Sequence, residues 1–329
     1  MMRRPRKTGG SRCQQSTTVA ALGAALLAAT LLAVAPPAVR SAPLAPAASG
    51  ARPVYLPAMA KPAAAPSPAA AISDTAQRAA ARLNVYRALA GLPQVAAHPL
   101  LTRAAESHAR YYVLNAGDPS LQGLGLHRQT PGQPGFSGVE PQDRARAAGY
   151  GAGADVTVDE NVGLLGDPER LIEAFVDTVN HRWNMLHPSL VDLGYGMAND
   201  PAIDVLQLAL AWSLRGVAQP ARYPGPNQTD VPRSAYIWEA PDPAPGAPRP
   251  LGYPITIAFP LSARVAYGAA ELRTAAGERV AVYTAQKAWL RGLAIIPARP
   301  LQPATGYVVA VSGTRDGVPL QETWSFVTR

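Results

Sequence analysis

The chain has 329 residues, 48% of them apolar, with 34 prolines, 28 glycines, one cysteine and a formal net charge of +8. The apolar fraction excludes wholesale disorder, and the length predicts about two domains. One cysteine excludes both an internal disulfide framework and a Cys-X-X-Cys metal knuckle.

The excess positive charge sits at the start. Residues 1–42 hold six basic and no acidic residues, which leaves 24 basic against 22 acidic in the rest. A nucleic-acid partner therefore loses its support, because a clustered basic face is what such binding needs. Arg3, Arg4, Arg6, Lys7 and Arg12 precede an uncharged run at 19–35 dominated by Ala and Leu. Basic residues followed by an apolar run predict a secretory signal over 1–42, with an uncleaved N-terminal anchor as the alternative and the only route to a membrane. Ala33 and Ala35 satisfy A-x-A but Pro36 follows, so cuts near Ser41 or Ala42 are alternatives. Cys13 leaves with this segment. Residues 43–73 are rich in Ala and Pro and predict a semi-extended linker, interrupted by a small apolar island at 54–57.

Residues 74–216 predict a helix-rich globular domain. Asp74 with Gln77 is a capping pair, and Gly91 with Pro93 ends the first helix. Pro99 opens a second helix to Leu114, and Pro141 a short third that stops at Gly149. Asp167, Pro168 and Glu169 begin a fourth, whose apolar stripe is Ile172, Phe175, Val176 and Val179. Asn180 is expected to end it in a left-handed conformation. Strand-like runs follow at 194–198 and 205–214. This alternation predicts an α+β fold, specifically a three-layer α-β-α sandwich.

Residues 217–329 lose helical periodicity. Short β-rich runs at 255–259, 279–284, 293–296, 307–311 and 323–327 predict an all-β sandwich, with a hairpin turn at Asp316-Gly317.

All five histidines lie in the helix-rich part. His181 follows the fourth helix, His127 sits in a Gly-rich loop, and Glu160 sits in a further expected loop. Two imidazoles and one carboxylate suit zinc with an open position, and equally suit acid–base chemistry. They also fit unrelated polar loop residues. His108 is expected to be satisfied on a helix face, while His98 and His187 precede proline and suggest turn roles. Trp183 suggests packing or a cleft wall, and the acidic stretch from Asp155 to Glu160 a solvated edge. No phosphate loop, nucleophile elbow or His-Glu-X-X-His motif is present.

Six stretches in order carry a family likeness: LNVYRALAGLP at 83–93, SHA at 107–109, DRARAAGY at 143–150, EN at 160–161, FVDTVNHRWNML at 175–186 and LGYG at 193–196. Together they resemble the CAP superfamily of cysteine-rich secretory proteins, antigen 5 and pathogenesis-related 1, in a bacterial, cysteine-free form. The stretches LQPATGY at 301–307 and WSFVT at 324–328 resemble bacterial Ig-like surface domains. The first resemblance implies a cleft with two histidines and two acidic residues. Carried over, His127 takes the first histidine position, Glu160 the first acid and His181 the second histidine. Thr178 stands where the second acid would be. Asp159 and Asn180 each replace a family glycine.

The resemblance implies a secreted or surface-associated protein that binds a divalent metal such as Zn2+, a lipid or other apolar molecule, or an extracellular partner. A zinc-assisted hydrolase holding metal on His127, Glu160 and His181 is the first alternative, and a cell-wall structural or adhesive protein the second.

Overall fold

A computed structural model describes residues 72–151, 155–213, 219–237 and 239–329. The expected export segment, the linker as far as residue 71, the apolar island and Cys13 lie outside the described residues.

Helix α1 (Asp74–Leu89) has Ser73 at its cap position; Asp74 is the first helical residue, where its charge meets the positive end of the dipole. A two-residue strand β1 (Ala96–Ala97) precedes α2 (Pro99–Leu114), which starts as expected and is capped by His98 Nδ1 accepting the Leu100 N–H. The Gly-rich stretch forms a 3₁₀ turn at Gly123–His127, and α3 spans Pro141–Ala147. Glu160 lies on a strand, β2 (Val156–Gly163), rather than in a loop. The charged Glu160 occupies a core-facing position of that strand and so disguises its alternation. Helix α4 (Pro168–Val176) begins at the expected cap, Asp167, but stops three residues early. Asn180 does not end it; Asn180 opens a new short helix, α5 (Asn180–Met185), and His181 rides on that first turn. Strands β3 (Leu190–Asn199) and β4 (Ala202–Ala211) complete the sheet.

The sheet runs β1-β3-β4-β2, so β2 is an edge strand. Alternate residues face opposite ways. Leu193, Tyr195, Leu206 and Leu208 pack in a cluster with α1 and α4, whereas Val205 and Ile203 pack with Ala105 and Ala109 of α2. Helices thus cover both faces. On the α2 side the approach is close: a Cβ at Gly194 would meet the Leu101 carbonyl carbon at 2.1 Å, and one at Gly196 the Glu106 nitrogen at 2.2 Å.

Beyond residue 219 come β5 (Ala221–Tyr223), β6 (Gln228–Val231), β7 (Ile255–Ala258), β8 (Val265–Thr274), β9 (Arg279–Val280), β10 (Val282–Lys287), β11 (Gly292–Pro297), β12 (Gly306–Arg315) and β13 (Val318–Thr328). They form two sheets, β10-β11-β7-β5 and β6-β13-β12-β8-β9. Asp316 and Gly317 both have positive φ, 53° and 83°, as the expected tight hairpin requires. The run expected at 279–284 is two strands belonging to different sheets.

One buried cluster includes Leu83, Phe175 and Leu206 together with Tyr253, Ile257 and Phe326, so the core is continuous between the helix-rich and β-rich parts. Arg182 is fully buried at this seam, with its guanidinium 4.9 Å and 5.0 Å from the Tyr223 and Tyr253 ring centroids, and it donates to the Val176 and Pro254 carbonyls. His187, also fully buried, donates from Nε2 to the Leu290 carbonyl and accepts the Ser189 N–H at Nδ1. Trp183 lies against Gly292, where a Cβ would meet its Nε1 at 2.8 Å.

Candidate functional site

The site is built around the edge strand β2. Val158, Glu160 and Val162 alternate toward α2 and α3, while Asp159 and Asn161 point to the other face, toward α5.

On the first face the Glu160 side chain has no solvent exposure. Its Oε2 accepts from Arg144 Nη2 at 2.7 Å and from Gln207 Nε2 at 3.3 Å. Its Oε1 lies 3.3 Å from His127 Nδ1 and 3.6 Å from His108 Nε2. Burial alone pushes the Glu160 carboxyl up, but His108, Arg144 and His127 overcome it and hold the acid at about 2. Arg144 is the permanent charge among them.

The hydrogen bonds fix the tautomers. The Ser137 N–H donates to Gln129 Oε1 at 2.7 Å, so the Gln129 amide nitrogen donates to His108 Nδ1. The His108 proton therefore sits on Nε2, which donates to the Leu126 carbonyl at 2.8 Å. Burial lowers the pKa of this imidazole, and the neighbouring Glu160 opposes the shift. His127 is the opposite case: Nδ1–H donates to Glu160, and no partner holds Nε2 among the described residues. Its side chain is 28% exposed, which leaves Nε2 open to a ligand.

The second face repeats this logic with different parts. The Thr178 hydroxyl donates to the Phe175 carbonyl at 2.8 Å, so its oxygen accepts from His181 Nδ1–H at 3.1 Å. The His181 ring stacks on Phe175, with centroids 4.2 Å apart and planes within 5°. A carboxylate is present after all. Glu239 Oε2 lies 3.4 Å from His181 Nδ1, and the Glu239 oxygens accept the Val179 and Asn180 N–H groups at 2.7 Å each. The side chain is wholly buried. Glu239 lies outside the helix-rich segment. Its sequence signal is slight: a lone glutamate closing the apolar run 235–238 within a Pro-rich stretch.

His127, Glu160 and His181 all line one cleft of about 470 Å³, with Pro241, Pro243 and Lys287 also in its lining. Thr178 supports His181 from behind. The two histidines approach β2 from opposite faces. Among the described residues no three His, Cys, Asp or Glu side chains converge as a metal site. Both Glu160 oxygens are already engaged, and Asp159, on the other face of β2, joins no such cluster, so the donors left are two imidazole nitrogens, short of the three protein ligands of a catalytic zinc. These residues do not fit a resident zinc, and no step is derived through one.

The bland expectations resolve individually. His108 is a satisfied buried histidine, but it touches Glu160. Trp183 is 3% exposed and packs. The acidic stretch is no solvated edge at Glu160. Ser137 is committed to Gln129 through both its N–H and its hydroxyl.

Residues 80–213 match the family model described as CAP, cysteine-rich secretory protein family. The match makes this segment, less than half of the chain, similar to that family. No curated protein matches the chain. Among solved structures, CopC from Methylosinus trichosporium OB3b is similar at 17% identity, covering 32% of this chain and 87% of that one with a TM-score of 0.23, which carries no argument.

Proposed function

We propose that this is a secreted CAP-domain protein that binds a small ligand in the cleft along β2, and that binding rather than turnover is its activity. One observation carries the reading. Two imidazoles are each held through Nδ1–H by buried groups, which leaves both Nε2 atoms ready for a ligand at no reorganisation cost. The same hydrogen bonds disfavour nucleophilic catalysis. The Thr178 hydroxyl donates to the Phe175 carbonyl and accepts a hydrogen bond from His181, so no base stands ready to take its proton, and Glu160 has no free oxygen to act as a base. Secretion is supported by the basic and apolar start of the chain and by the CAP likeness. No helix among the described residues is long and apolar enough to cross a membrane. We read the helix-covered sheet as the CAP α-β-α sandwich and the β-rich part as an Ig-like sandwich that supplies one cleft wall.

The test is an inventory of metals and small molecules carried by the protein recovered from its own culture medium. A bound organic molecule, lost from His127→Ala and His181→Ala while both variants stay folded, supports the reading. Turnover of ester, amide or glycoside probes that the same variants abolish would overturn it.

A further inference from the structure

The cleft floor presents acceptors almost alone. The Nε2 atoms of His127 and His181 are lone-pair ends, by the tautomers derived above. Asn184 borders the cleft, is 2% exposed, and spends both of its protons on Asp159 Oδ2 and Asn161 Oδ1. Its Oδ1 is a buried acceptor without a partner. Such an atom destabilises the fold until something donates to it. Asp159 adds a carboxylate beside it, whose Oδ1 already accepts the Glu160 N–H and whose Oδ2 accepts an Asn184 proton, each oxygen keeping a further lone pair.

Four acids line the cleft, Glu140, Asp159, Glu160 and Asp242, against one lysine, Lys287, whose Nζ lies 5.5 Å from the Trp289 ring centroid. Glu140 and Asp242 are paired at 2.7 Å with Arg128 and Arg249, which leaves Asp159 as the lining carboxylate without a cationic partner among the described residues. Arg144 lies behind Glu160 with no side-chain exposure, and it neutralises that acid without reaching solvent. A ligand that brings acceptors or a negative charge would meet four acceptors on this floor; the donors near it are Lys287 at the rim and Trp183 Nε1, which has no partner but lies against Gly292. A ligand that brings several N–H donors on one positive centre would satisfy Asn184 Oδ1, Asp159 and the imidazoles together.

We infer that the cleft takes a small organic cation that presents a primary ammonium group on an aliphatic chain. This rests on the ligand-binding reading above and gives it a chemical class. The volume, about 470 Å³, lies within the ordinary range for small-molecule sites. The ammonium points to Asn184 and Asp159, and its alkyl chain runs out between Pro241, Pro243 and Leu124.

The experiment follows the histidine Cε1–H resonances of the full chain by NMR at about pH 7.5, where imidazoles are mostly neutral. The probes are 1,5-diaminopentane, pentanoate and zinc chloride, each titrated separately. The account expects the diamine to shift the His127 and His181 signals saturably while His187 stays still, and pentanoate to shift neither. Asp159→Asn should weaken the diamine about tenfold, the loss of one charge-assisted contact. Lys287→Glu, a substitution at the rim, should tighten it severalfold and keeps the test valid if Asp159→Asn misfolds. Binding of pentanoate instead of the diamine, or unchanged affinity in Lys287→Glu, overturns the cation assignment but leaves a ligand cleft standing. A response to zinc alone overturns it in favour of a metal. No response to any probe, from a protein that also carries no molecule out of its host, overturns both readings.

Discussion

The two ends of the cleft solve one problem by different means. At the His127 end the orienting carboxylate, Glu160, comes from a strand within the helix-rich part, and Arg144 holds it in place. At the His181 end the orienting groups are Thr178, three residues back, and Glu239, from the segment entering the β-rich part. The first end is closed within one fold. The second requires the seam with the β-rich part, because the same Glu239 carboxylate also accepts the two N–H groups that start α5. A cleft histidine can thus depend on residues far outside the segment whose motifs announce it.

Substitutions can break this comparison in order of size. Arg144→Leu should have the largest effect, about 3–5 kcal/mol of lost stability, because it leaves Glu160 buried without its counter-charge. Urea unfolding measures it, and a loss below about 1 kcal/mol would show that the His127 end is not built on that pair. Glu239→Ala should cost about 2–3 kcal/mol, since it strands two backbone donors beside a buried helix start. If Glu239→Ala matches wild type in urea, the second end does not depend on the seam.

Acid sharpens the contrast between cleft and seam. Burial lowers the pKa of His187 to about 4, from an ordinary value near 6.5. The unfolded chain therefore binds the proton more readily, and the stability this imidazole contributes is full above about pH 6.5 and lost as pH falls toward 4. The loss amounts to about 3 kcal/mol, and His187→Gln should remove this part of the pH dependence. Glu160 acts lower: its carboxyl is held at about 2, so its contribution is present above about pH 4.5 and disappears between there and pH 2. Urea midpoints measured across this range should fall in two stages. A flat profile from pH 7 to about 4 in the wild type would contradict the first. The smallest effect belongs to Thr178→Val, about 1 kcal/mol, because Glu239 remains to accept from His181.

Much of this was legible in the sequence, and the exceptions have physical causes. Pro99, Pro141 and Asp167 marked their helix starts because a fixed φ and a side-chain cap act locally. The position of Asn180 misled because its role is set by Glu239, which supplies acceptors to a second helix 59 residues earlier in the chain. Periodicity cannot carry such information. Strand β2 was hidden because its core-facing residue is an ionised glutamate, tolerable only beside Arg144. Strand β8 was hidden because Leu272 is its one buried residue and Gly-Ala-Ala at 268–270 breaks its apolar alternation. At the site, the likeness to CAP motifs pointed to His127, Glu160 and His181, which line one cleft, and to Thr178, which holds His181 from behind. It gave no hint of Glu239, and the engagement of both Glu160 oxygens followed only from the geometry.

Two cleft imidazoles are held through Nδ1–H with Nε2 free, whereas the buried histidines are held the other way. Long-range 1H–15N correlation spectra of the full chain at neutral pH read this directly. The account predicts the Nδ1–H tautomer for His127 and His181 and the Nε2–H tautomer for His108 and His187. An Nε2–H tautomer at either cleft histidine would contradict it.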